Sequence, residues 1–322
     1  MVLKYDRRAS EPMLKALEPG GFAHGLVQYG RSGMYGLDLQ LRGKWATLYI
    51  GTTKALDLHA VARGNYILKT HKTYANRSHL RWNQNWSDSH TGNWFSDNWA
   101  EVEAYLDRVI PWVSSQGKHI QEGMVQSALS RFPGNGITTI DREAVVSYAN
   151  EVEKRQSLAC TSRPWVKAAH REDGAPRWWS GSKLKLSTEC DLLGIMPSGA
   201  LATIEVKPAS AGASAIAWSP LQALQYASQF QAWLDVHPEG AVGIVNDLML
   251  QQQRIGMREP GTLPVLDSKL PVQAVVILDS RTKETGLSRM AEVISHLGSM
   301  GKNPQVEVYL SNLAGRISPL KR

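Results

Sequence analysis

Between Gly25 and Thr52 the chain alternates apolar and polar residues between glycines, the period of two that predicts antiparallel strands. Residues 63–99 crowd aromatic, basic and amide side chains together without a period, which predicts a loop-rich stretch. The period then lengthens. Ile120, Met124, Val125, Ala128, Leu129 and Phe132 fall on one helical face ahead of Pro133-Gly134, predicting a helix. Residues 141–156 (DREAVVSYANEVEKRQ) suggest a second helix, and residues 182–196 and 199–207 suggest two strands around a turn at Pro197-Ser198-Gly199. A third helix is expected over 219–240. Ser219 suits its N-cap and Pro220 its first position, Ala223, Tyr226, Ala227, Phe230 and Leu234 lie close to one face, and His237-Pro238-Glu239-Gly240 ends it. A buried strand over 271–280, a helix over 288–301 and a closing strand over 304–312 complete the pattern.

From residue 118 the order is helix, strands, helix, strand, helix, strand, which argues for an α/β domain: a mixed sheet with helices on its faces. Residues 1–116 read as a separate β-rich region, and residues 117–322 as the α/β domain. A chain of 322 residues has the length to bury at least one sizeable core.

Composition adds a mild direction. Thirty-six Lys and Arg against 29 Asp and Glu give a formal charge of +7, which favours an anionic partner, nucleic acid first. No apolar run approaches the roughly 20 residues that span a bilayer, so no membrane partner is expected. The opening residues lack the apolar core of a secretory signal, and the expected compartment is the cytoplasm. Cys160 and Cys190 form no CxxC and cannot build a zinc site alone; Cys190 lies in a strand-like segment and reads as a buried, inert thiol.

Arg63, Lys69, Lys72, Arg77 and Arg81 follow one another with no intervening acid, interleaved with Tyr66, His71 and Tyr74 and followed by Trp82 and Trp86. Such a mixture suits phosphate contacts combined with base stacking. The same residues equally suit a Trp-rich small core with a solvated basic face.

The sharpest chemistry lies in CDLLGIMPSGALATIEVKP, residues 190–208. A turn at 197–199 pairs positions whose numbers sum to 396, which sets Asp191 opposite Glu205. Alternation puts Glu205 and Lys207 on one face and Val206 on the other. Two adjacent carboxylates repel unless one is protonated or a cation stands between them. Hard oxygen ligands of this kind suit Mg²⁺, which takes its remaining ligands from water and substrate phosphate. The bland reading is a pair of solvated acids at the mouths of two strands.

At these residues the sequence resembles the PD-(D/E)XK nuclease superfamily: Asp191, thirteen intervening residues, then Glu205-Val206-Lys207. Gln222 and Tyr226 resemble the Gln-x-x-x-Tyr signature of RecB-type members, on the helix that follows the lysine strand. That pair also has a structural reading, with Gln222 reaching back to a Ser219 cap and Tyr226 in the core. The resemblance covers roughly residues 118–312. It implies a restriction-endonuclease-like fold and an Mg²⁺- or Mn²⁺-dependent nuclease. Asp191 and Glu205 would hold the metal, joined by an acid of the preceding helix, for which Glu122 is the best match and Glu151 and Glu153 compete. Lys207 would support the attacking water. Cys190 stands where the superfamily's naming proline would be, a departure that removes no ligand.

Lys183 and Lys185, approaching Asp191, are further candidates for phosphate contact. The expected substrate is DNA rather than RNA. No GxxxxGK[ST], HExxH or GxSxG occurs, so no NTPase or other hydrolase motif competes. The rival class is a nuclease-like fold kept for nucleic-acid binding or assembly without turnover, or one that cuts only inside a mobile-element or defence complex. Residues 1–116 would then supply protein contacts. Endonuclease or exonuclease action, specificity and a homodimer all stay open.

Overall fold

The computed structural model of the chain describes residues 3–116, 120–131, 136–161, 188–299, 305–312 and 314–320. Lys183 and Lys185 lie outside them. The chain divides into two compact units: Asp6–Arg131 with Ile244–Leu263, and Met1–Tyr5 with Phe132–Gly243 and Pro264–Arg322. The first division therefore falls near residue 131 rather than 116, and each unit draws on separated stretches of chain. Among the described residues no helix is long and apolar enough to cross a membrane.

The first unit is built on a five-stranded antiparallel meander of Leu37–Leu41, Trp45–Ile50, Thr53–Ala60, Asn65–Lys69 and His90–Thr91. It is not predominantly β. His24–Ser32, expected as strand, is a helix, because Leu26, Val27 and Gly30 bury at helical spacing. Gly92–Ser115 is a 24-residue helix that buries Phe95, Trp99, Val102, Tyr105, Leu106, Val109, Ile110 and Val113, spaced three and four apart, with Thr91 Oγ1 capping Trp94 N–H. The aromatic crowd between 63 and 99 supplies this unit's core: Tyr66, Tyr74, Trp82 and Trp86 are all buried there. Trp82, Trp86 and Tyr105 meet edge to face at 5.0 to 5.9 Å. Those rings are therefore not available to stack on bases, and the small-core reading of that stretch is the one found.

The second unit is a six-stranded mixed sheet in the order Ile317–Pro319, Val306–Ser311, Gln273–Asp279, Leu201–Lys207, Glu189–Ile195, Thr138–Val145. Strand 273–279 runs parallel to both of its neighbours, and every other pairing is antiparallel. This is the expected α/β class. Thr138–Val145 replaces the expected start of a helix at 141; the helix proper is Glu151–Thr161. A short apolar run such as Ala144-Val145-Val146 fits either period, and pairing with strand 189–195 decides it.

Helices Ala213–Val236 and Glu284–Ser299 cover one face of the sheet. Ile216, Leu221, Leu224, Leu287, Met290 and Val293 pack there with Ala274, Val276 and Leu278. The helix starts at Ala213, with Gly212 and not Ser219 at its cap, and Pro220 lies inside it. Proline has no N–H for the carbonyl four residues back, that of Ile216. Ser219 Oγ donates to that carbonyl at 2.7 Å instead, so the residue that resembled an N-cap mends an interior gap. Gln222 is consequently mid-helix and has no cap to serve.

Ser219 is fully buried, so Ser219→Ala should orphan the Ile216 carbonyl at roughly 1–3 kcal/mol, offset by about 0.5 kcal/mol of better helix propensity. The expected result is a net loss of about 1 kcal/mol or more in denaturant unfolding, recovered in Ser219→Thr. An unchanged midpoint would mean the hydroxyl does not carry that carbonyl.

Candidate active site

The hairpin around the motif has the register that period-two reasoning predicts: Leu201 faces Ile195, Ala202 faces Gly194, Thr203 faces Leu193 and Ile204 faces Leu192. Its tip is a three-residue loop. Gly199 N–H donates to Met196 O at 2.9 Å, Met196 N–H donates to Ala200 O at 2.9 Å, and Gly199 has φ of +91°. That left-handed position suits glycine and closes the turn without shifting the register.

The paired register stops at Ile204 and Leu192, and just beyond it Asp191 lies near enough to Glu205 for its charge to act on that carboxyl. There Asp191 Oδ2 accepts the Val206 N–H at 2.7 Å. The carboxylate takes a main-chain hydrogen bond at the strand end and is held in place by it.

Glu205 is 2 % exposed. It lies opposite Val276 in the parallel ladder, so its side chain shares the sheet face covered by the 213–236 helix. Thr203, two residues earlier on that face, donates from Oγ1 to Ala223 O of the helix at 3.2 Å. Gln222, half-buried, and Tyr226, 2 % exposed, stand on the same helix on either side of Ala223. The strand carrying the motif and the helix carrying the Gln-x-x-x-Tyr pair thus meet at this point.

The electrostatics are those of a crowded acid. Lys207 Nζ makes an ion pair with Glu205 Oε1. Glu205 Oε2 is buried and has no hydrogen-bond partner. Burial first, and then the charge of Asp191, push the Glu205 carboxyl up to about 8, against the pull of Lys207. The Cys190 thiol, fully buried, is pushed well above its ordinary range by burial and then by the charges of Asp141, Asp191 and Glu205. It is an inert neighbour, as expected.

An orphaned, desolvated carboxylate oxygen beside a second carboxylate is what a hard divalent cation would satisfy, so the residues fit such an ion. Among the described residues no group of three or more His, Cys, Asp or Glu is arranged so that it could hold a metal ion. Glu122, the expected third acid, belongs to the other unit, where it accepts a hydrogen bond from Gln126 at 3.3 Å. Glu151 is exposed and pairs with Lys154 at 3.5 Å. Sequence reasoning missed Asp141, a buried acid that accepts the Tyr5 hydroxyl at 2.8 Å. Alternation along Thr138–Val145 was its only signal.

Arg63, Lys69, Lys72, Arg77 and Arg81 are all exposed in the first unit, and the Arg77 guanidinium lies over the Trp112 ring at 4.6 Å. Comparison of the chain with family models, with curated proteins and with solved structures gives no match in any of the three.

Because its carboxyl is raised, Glu205 keeps in the folded chain a proton that the unfolded chain releases. Its contribution is fully present below the ordinary carboxylate range near 4.5 and is lost as pH rises toward about 8. In chelator, Glu205→Gln should therefore gain thermal stability over the wild type progressively across that window. A constant difference at every pH would contradict the burial argument.

Proposed function

We propose that the chain is a metal-dependent nuclease of PD-(D/E)XK type that hydrolyses phosphodiester bonds, with DNA as its substrate. The observation that carries the reading is the buried, unpartnered Glu205 Oε2 beside Asp191, with Lys207 on the other oxygen of the same carboxylate. The element order supports it: an antiparallel pair bearing the acids, a long helix, then parallel strands, as in a restriction-endonuclease-like core.

Asp191 and Glu205 would hold Mg²⁺ or Mn²⁺, which when bound supplies charge neutralisation at the phosphodiester and a water of lowered pKa. The chain's own work is arrangement. Val206 N–H fixes the Asp191 carboxylate, and the sheet holds Glu205 in a place where it has little alternative solvation. Lys207, which pairs with Glu205 Oε1, would serve as an ammonium donor for the attacking water or the developing phosphate charge. Gln222 and Tyr226 are poised by the helix to shape the same region. The exposed basic residues of the first unit and the overall charge of +7 suit a polyanionic substrate.

The decisive assay incubates the protein with linear, circular and single-stranded DNA and with RNA, with Mg²⁺ or Mn²⁺ and with chelator. Metal-dependent cleavage should fall by about 100-fold or more in Glu205→Ala and Lys207→Ala. Divalent metal should also raise the unfolding temperature of the wild type and not of Glu205→Ala. No cleavage together with no metal-induced shift would favour a non-catalytic binding or assembly role. Cleavage equal in the variants would place the chemistry elsewhere.

A further inference from the structure

The unit formed by Asp6–Arg131 and Ile244–Leu263 holds a cleft of about 490 Å³ that the nuclease reading does not use. Gly25 and Tyr29 line it from the helix His24–Ser32, Glu103 and Asp107 from the helix Gly92–Ser115, and Met34 and Tyr35 from the turn between helix and sheet. The volume is that of a small-molecule site.

Its lining has a definite chemistry. Glu103 and Asp107 are one helical turn apart and face the cleft together. Asp107 accepts the Tyr29 hydroxyl at 2.8 Å. Among the described residues neither acid enters a salt bridge, although other acids of the same unit do, as Glu11 and Glu259 show. Their field is felt locally: burial and then these two carboxylates hold the Tyr29 hydroxyl protonated far beyond its ordinary range. In a chain of net +7, this is a local concentration of negative charge.

Two further features bear on an occupant. A Cβ on Gly25 would stand 2.9 Å from Glu103 Oε1, so only the bare glycine lets that carboxylate sit against the backbone of the first helix at the cleft. At the same cleft Met34 is 60 % and Tyr35 43 % exposed, which leaves large apolar surface in water.

We propose that this cleft binds a small organic cation: a protonated amine on an apolar or aromatic body. The carboxylates take the ammonium, and the Tyr29 and Tyr35 rings take the body and add cation–π attraction. The acids repel an anion of the same shape.

Tyramine is a suitable probe, and 4-hydroxyphenylacetate is its anionic counterpart of similar size. Calorimetry with the full chain should give tyramine a Kd below about 1 mM, with the anion bound at least about tenfold more weakly. Glu103→Gln combined with Asp107→Asn should weaken tyramine about tenfold or more. Gly25→Ala, whose added carbon crowds Glu103, should weaken it without removing a charge, and it serves as the second test if the double variant does not fold. The proposal is overturned by tyramine failing to bind up to about 5 mM, by equal binding of the anion, or by unchanged affinity in folded variants. None of these outcomes depends on nuclease activity.

Discussion

The burial of one carboxylate organises the second unit. Glu205 sits on a central strand, under a helix, beside Asp191, and among the described residues its counter-charge within hydrogen-bonding reach is Lys207 two residues on. Removing an acid from water in such company is unfavourable unless charge is balanced. The surrounding structure cannot relax to relieve it, because the strand is hydrogen-bonded on both sides and the helix packs on its face. The carboxyl meets that cost by holding its proton up to about pH 8, with Lys207 against its other oxygen.

The positioning of the acid rests on ordinary devices. A glycine with positive φ closes the hairpin in one register, and Asp191 comes to lie beside Glu205 just past the last paired rung. A single-residue slip would send Glu205 to the opposite face and Val206 toward the helix. Thr203 ties the strand to Ala223, and Ser219 replaces the hydrogen bond that Pro220 cannot make, so the helix runs unbroken past the site.

The first unit answers a different need. Its aromatic residues, which along the chain look like a binding surface, are consumed in its own core, while the cations among them stay exposed. Its concave surface is acidic instead. Stripes on two helices, each read at intervals of three and four residues, supply the opposing walls of the cleft.

By itself the sequence determined the mixed α/β class of the second unit, its hairpin register, and the convergence of Asp191 with the Glu-x-Lys pair. Each of these follows from periods of two and from turn chemistry, which act over a few residues. It did not determine that residues 141–145 would be strand, since a short apolar run takes its state from the partner it pairs with. Nor did it reveal that the 213–236 helix would pass through a proline. That depended on a hydroxyl three residues from a freed carbonyl, a match that resembles a cap when read along the chain. Tertiary structure alone decided which polar atoms lost water: Glu205 Oε2 beneath its helix, Trp99 Nε1 behind Gly25, and the rings of Trp82 and Trp86 in a core. Desolvation is set by what packs against a group, and those neighbours come from parts of the chain that no local pattern connects.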